Sequence, residues 1–452
     1  MIWLFYFFIF LLPFQDHYLI NYEIAGSFTA LKLLGGVLLL YALAYSLFRG
    51  LPRFWRTAQA KAFLLFAFLV FLSLLFSVGG LFQNRAWHNY EAVSFMVSAL
   101  TLFFILMTVV DRKERLRRTM LATVASIGVA GVYIIRGWMG GDTEPGWPFG
   151  DANYFALYAV SAIPIGLAIA QAETRKLFRW AAYVSVGLCI CGLAICRSRA
   201  GFIAFAVFAL FYIVRQKRLS HSVILVAFLL ASSFMLPSAI ERLTNPTKWD
   251  NIAVITRQIV WRAAIEMTLD HPLFGVGPGN AWFLAKLPGY APVYHIAHNS
   301  FLEISAQSGI PALLAYLLLL FFSWRSARQS ERDFDARGNS YLANLSQGLQ
   351  GSFLAFGIAA NFISAEFLRF GWFLIFLTIL LRDHRFLPET EAEPSQATSG
   401  GAKTHFPPPS RTAFLSKFQG KAISRRPATP ATRVQRRPTR TRKSKRRDYI
   451  VG

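Results

Sequence analysis

Ala62–Phe82 reads AFLLFAFLVFLSLLFSVGGLF, a run with no charge, broken only by two serines and two glycines. A helix rises about 1.5 Å per residue, so a run of this length crosses a hydrocarbon core of about 30 Å. Comparable runs lie on either side: Met1–Phe14, Ala25–Phe48, Ala92–Val110, Thr119–Met139, Asn153–Ala172, Arg179–Cys196, Ala200–Val214, His221–Ile240, Ser300–Trp324, Tyr341–Ile363 and Phe367–Leu381. The chain is therefore expected to be all-α, a polytopic transmembrane helical bundle of about 12 spans. Composition agrees. Of the 452 residues, 55% are hydrophobic and 15% charged, with 43 Phe and a mean hydropathy of +0.41. Soluble domains carry about 25% charge. Met1–Phe14 lacks a charged leader and a small-residue cleavage site, so it reads as a retained span and not as a signal peptide.

Lysine and arginine set the expected orientation. Alternate loops are basic: Arg49, Arg53, Arg56 and Lys61; Arg112 to Arg118; Arg175, Lys176 and Arg179; Arg215, Lys217 and Arg218; Arg325, Arg328, Arg332 and Arg337. By the positive-inside bias these loops and both termini are expected to be cytoplasmic. The long segment 237–299 then faces outward as one large loop containing helices. Within it, Asp250 or Asn251 can cap a helix that His271-Pro272 ends, and a turn-rich Gly275-Val276-Gly277-Pro278-Gly279-Asn280 follows. Ser300-Phe301-Leu302-Glu303 has the form of a capping box for the next span.

Two domains are expected: a core over 1–386 and a tail over 387–452. From Pro388 onward the tail has fifteen Lys or Arg against four acids and is rich in Pro, Ser and Thr, so it is expected to be disordered. Its charge suits adhesion to anionic membrane lipids, with Phe414, Leu415 and Phe418 at the interface, better than nucleic acid. Cys189, Cys191 and Cys196 lack metal-ligand spacing and read as small residues packed in a helix.

Chemistry is expected at the outer face. Carboxylates are nearly absent from the spans, which counts against a proton- or sodium-coupled transporter. Arg197-Ser198-Arg199-Ala200-Gly201 puts two arginines in an outward turn, either snorkelling at a helix end or forming an anion site that Gly201 lets a ligand approach. Arg257 and Trp261 share one helix face at i,i+4, with Arg262 the weaker candidate. His298 precedes a helix start, where the helix field attracts anions and favours the neutral imidazole that a general base needs. His295 and His271 compete for that role. The three histidines also raise a zinc reading, which their irregular spacing does not favour.

Several motifs occur in one order: Asp151-Ala152-Asn153-Tyr154-Phe155-Ala156, Ser198-Arg199-Ala200-Gly201, the Arg257–Trp261 spacing, His271-Pro272-Leu273-Phe274-Gly275-Val276-Gly277-Pro278-Gly279-Asn280, and Ala297-His298-Asn299-Ser300-Phe301-Leu302-Glu303 before Gly309-Ile310. Together, over Asp151 to Tyr316, the chain resembles the O-antigen ligase and polymerase family of bacterial inner membranes. The resemblance implies transfer of a glycan from a polyprenyl-diphosphate-linked oligosaccharide donor to an acceptor at the periplasmic face. The acceptor is lipid A core, another glycan repeat or a protein hydroxyl. It also implies inverting chemistry without metal or cofactor. Arg199 and Arg257 match the family's diphosphate-binding arginines, and Arg197 and Asn299 are expected to join them at the diphosphate. His298 matches its base, which Asn299 is also placed to orient. The basic tail lies outside the family pattern. A solute transporter would carry broken-helix repeats and intramembrane carboxylates. A non-catalytic assembly protein would tolerate changes at Arg199, Arg257 and His298.

Overall fold

A computed structural model describes residues 1–14, 23–25, 28–50, 57–78, 86–142, 145–146, 150–215, 248–383 and 386. The expected span His221–Ile240 and the tail 387–452 lie outside the described residues.

The apolar runs form helices, as a lipid environment requires of backbone that must satisfy itself. In order they are α1 (Ile2–Leu11), α2 (Ala30–Arg49), α3 (Ala58–Phe76), α4 (Ala86–Val109), α5 (Lys113–Met139), α6 (Ala152–Ala172), α7 (Lys176–Cys196), α8 (Arg199–Arg215), α9 (Lys248–Asp270), α10 (Asn280–Lys286), α11 (Ser300–Ala336), α12 (Ser340–Ala359) and α13 (Arg369–Leu381). Seven of them, α2 to α7 and α11, are long and apolar enough to cross a membrane. Ile2–Phe14 and α13 are shorter apolar helices.

Three boundaries differ from the sequence reading. Glu23–Ala25 pairs antiparallel with Phe28–Thr29, so α2 starts at Ala30, where Thr29 accepts a hydrogen bond from the Lys32 N–H. The loop helix α9 begins at Lys248, so Asp250 and Asn251 lie inside it. The Ser300–Glu303 capping box does not form, and the cap lies one residue earlier. Asn299 is the N-cap and accepts from the N–H groups of Phe301 and Leu302 at 3.1 and 3.2 Å.

The bundle centre is α6, packed against α5, α7, α8 and α12, while α11 packs against α3, α9 and α12. Small residues set the closest approach between helices, as in other membrane bundles. Ser352 on α12 donates to the Ser161 carbonyl of α6. Gly201 has the same use. A Cβ there would meet Ala156 and Leu193, so its missing side chain serves helix packing and does not open the backbone to a ligand. The cysteines lie on α7 as free thiols, Cys189 and Cys196 buried and Cys191 exposed.

Helix ends segregate into two linked sets. One contains the basic loops. Arg117 pairs with Glu173 at 2.6 Å, Arg215 with Glu331 and Arg382 with Asp333, and Lys113 donates to Asn339 at 2.9 Å. The other contains the ends of α6, α8, α11 and α12 that carry the candidate site. Ser198 Oγ donates to Asn153 Oδ1 at 2.7 Å, and Ser300 Oγ donates to the Ile363 carbonyl at 2.8 Å.

Candidate functional site

The segment from α9 to the start of α11 holds its own small core. Val260, Ala263, Ala264, Met267, Val276 and Phe283 are among its fully or almost fully buried members. A backbone clamp fastens it to α11. The Val276 N–H donates to the Ala306 carbonyl at 2.8 Å, Gly277 to Gln307 at 3.1 Å, and Ile310 to Pro272 at 2.8 Å. The clamp needs glycine on both sides. Gly275 (φ 67) lies against the Gln307 carbonyl, and Gly309 (φ 85) lies against the Leu273 carbonyl where α11 kinks. Both positions combine a left-handed backbone with no room for a side chain. The Gly275–Asn280 stretch therefore serves as a structural clasp.

The clamp fixes where α9 presents its side chains. Trp261 Nε1 donates to the Ala297 carbonyl at 2.7 Å, next to His298. One turn earlier on the same face, Arg257 is half-buried. Burial lowers the proton affinity of Arg257 first, and Arg199 lowers it further, while Asp151 opposes them. Arg199 and Arg257 thus belong to one electrostatic neighbourhood although α8 and α9 are distant in sequence. Neither makes a hydrogen bond or ion pair among the described residues. The paired arginines of the basic helix ends provide the contrast.

Arg199 is exposed in the first turn of α8. The buried Ser198 caps this helix, accepting from the Gly201 N–H at 3.2 Å while tied to Asn153. Asp151 caps α6, accepting from the N–H of Asn153 at 2.7 Å. The starts of α6 and α8 are thereby joined, and helix N-termini carry partial positive charge.

Arg197 (φ 51) and His298 (φ 49) are the two non-glycine residues in the left-handed region among the described residues. Such conformations cost free energy and gather at functional sites. Arg197 ends α7 in that conformation. The His298 imidazole is pushed down to about 4, first by burial, then by His295 and Arg257, with Asp151 opposing. His298 is therefore neutral at physiological pH. The His295 and His298 rings lie 4.9 Å apart between centroids, with His295 the exposed partner. His271 ends α9 and is not among the groups that shift His298. Among the described residues, no three His, Cys, Asp or Glu are grouped to hold a metal ion. Asn299 spends its amide oxygen on the cap of α11.

Residues 184–317 match a family profile described as O-antigen ligase. This segment is similar to the O-antigen ligase family. The O-antigen ligase match begins within α7, takes in Arg197, Arg199, Arg257, His298 and Asn299, and ends within α11. The ligase family works in membrane glycan transfer, and the seven apolar helices agree with a multi-pass membrane protein. No curated protein matches the chain.

Sequence reading missed two features. Asp151 faces Arg257 and His298, yet its helix-capping pattern alone gives no sign of them. Glu303 is fully buried in the first turn of α11, and its Oε1 accepts from the His298 backbone N–H at 3.1 Å. His298 makes that contact in a left-handed conformation, which no residue pattern announces.

Proposed function

We propose that this protein transfers a glycan from a polyprenyl diphosphate carrier to an acceptor hydroxyl at the outer face of a bacterial inner membrane. The observation that carries the reading is the half-buried, unpaired Arg257, which faces both Arg199 and a neutral His298. A cation with Asp151 nearby but no hydrogen-bonded carboxylate partner among the described residues, and beside helix N-termini, suits an anion, and a guanidinium fork matches phosphate oxygens two at a time. Arg199 and Arg257 hold the diphosphate, with Arg197 at the rim. His298 takes the proton of the acceptor hydroxyl as its oxygen bonds to the anomeric carbon. The bond from that carbon to the diphosphate oxygen breaks, and the charge that develops stays on the arginines. Attack opposite the leaving group inverts the anomeric centre. Arginines in this role make a divalent metal unnecessary.

Both termini and the basic loops are cytoplasmic in this reading, and the 237–299 segment is periplasmic. The tail, 387–452, adheres to anionic lipids on the opposite side from the site. The test is transfer by the purified full-length protein in detergent, given lipid-linked oligosaccharide and candidate acceptors. The reading predicts a glycosylated acceptor and released polyprenyl diphosphate. Movement of an unmodified solute across vesicles, without transfer, would contradict it. The surface glycan of a deletion strain then identifies the acceptor: loss of polymer on lipid A core, shortened chains, or an unglycosylated protein.

A further inference from the structure

Behind His298 lies a buried pair of carboxyls, Glu303 at 0% and Glu366 at 3% exposure. Glu303 Oε1 accepts from the His298 N–H at 3.1 Å and from Ser364 Oγ at 2.8 Å. Its Oε2 and both carboxyl oxygens of Glu366 accept no well-formed hydrogen bond from the other described groups; the Ser300 hydroxyl lies beside Glu366 but donates to the Ile363 carbonyl, and the two carboxyls lie within hydrogen-bonding reach of each other. The turn carrying Glu366 is firmly held. Ser300 Oγ accepts from the Ala365 N–H at 2.7 Å, and Trp372 Nε1 donates to the Glu366 carbonyl at 2.8 Å. Facing the pair from the surrounding elements are Tyr316 of α11 and, through its backbone, His298. Among the described residues no lysine or arginine pairs with either carboxyl.

Two ionised carboxylates buried in contact, without a cation, repel each other and lose their hydration. One proton between them replaces that repulsion with a charge-assisted hydrogen bond. Burial and the neighbouring Glu303 hold the Glu366 carboxyl well above the usual carboxylate range.

We infer that Glu303 and Glu366 share one proton and act as a positioning pair, gripping the His298 backbone in its left-handed conformation beside Arg257. The consequence for turnover rests on His298 being the base proposed above. The pair touches no substrate. It joins the α12–α13 turn to the site, so that turn and His298 move as one piece.

The test compares Glu303→Gln, Glu366→Gln and Glu303→Leu in the full-length protein. Glutamine keeps an acceptor oxygen and supplies an N–H where the shared proton lies, so both glutamine variants should rescue transfer to within about threefold of the parent. Glu303→Leu releases the His298 N–H. Its kcat should fall on the order of 10²-fold, the cost of misplacing a reacting group by about 1 Å, with donor KM unchanged. Loss of a shared proton weakens the fold as pH rises. The parent's melting midpoint should therefore fall as pH rises above the usual carboxylate range, and that of Glu366→Gln should fall less. Three results would overturn the inference: Glu303→Gln as inactive as Glu303→Leu, equal pH slopes in parent and Glu366→Gln, or sodium or calcium stabilising the parent but not Glu366→Gln, which would put an ion where the proton is assigned. The melting comparison needs no turnover. A fully active His298→Ala would remove the base reading while leaving the shared proton to be judged by melting alone.

Discussion

His298 combines an uncommon backbone conformation (φ 49) with an imidazole depressed to about 4. A base must be unprotonated to act, so activity limited by free His298 is lost only as pH falls through that value. The kcat/KM profile, which reports the free enzyme, should stay flat from neutral pH down to about pH 5. Diphosphate bound at Arg257 cancels part of the field that depresses His298. The acid limb of kcat, which reports the loaded enzyme, should therefore lie at higher pH. A kcat/KM limb near the ordinary histidine value of 6.5 would show that burial does not act as described. The arginines are tested by keeping charge and removing the fork. Arg257→Lys and Arg199→Lys should each lower transfer by about tenfold to a hundredfold, given 1.5–3 kcal/mol for a hydrogen bond to a charged group. The half-buried Arg257 should suffer more than the exposed Arg199. Wild-type rates in both would leave the diphosphate without its proposed ligands.

The clamp between α9 and α11 sets this geometry at the level of elements. Gly309→Ala forces a side chain toward the Leu273 carbonyl at φ 85, and Gly275→Ala does the same against Gln307 at φ 67. Each should cost at least about 1–3 kcal/mol from backbone strain alone, read as a lower melting midpoint in detergent. Gly289→Ala, with nothing within 4 Å of its Cβ, should melt like the parent. Equal melting of all three would mean that the clamp is not tight. The glycines of Gly275–Asn280 were legible as turns, but their partner is a helix kink some thirty residues later, which local pattern does not reveal. The helix start before α11 was legible to within one residue. Its chemistry was not, because Asn299 and Ser300 are equally good caps and only tertiary packing sends Glu303 back to His298. The arginines and the histidine were legible as chemically odd residues at helix ends. Asp151 and Glu366 were not, since an N-cap aspartate and a turn glutamate look ordinary until the helix ends converge.

At the scale of the molecule, hydropathy gave the helices because hydrocarbon demands long uninterrupted apolar runs. It could not place the short hairpin before α2 or count the spans, since several helices fall below the length that composition alone requires. The two linked sets of helix ends carry a topology prediction: reporter fusions at Ser220 and at Gly289 should report opposite sides of the membrane. The same side for both would mean that the number of crossings between them is even. The central claim, that unpaired arginines hold a lipid diphosphate while His298 takes the acceptor's proton, meets its most direct test in His298→Ala. The measurement is transfer of a lipid-linked oligosaccharide by purified full-length protein, with donor binding followed in parallel. The account predicts turnover lower by about 10²–10⁴-fold, donor binding retained, and no effect of chelators on the parent. Full turnover in His298→Ala, or parent activity lost to a chelator and restored by a divalent metal, would contradict it.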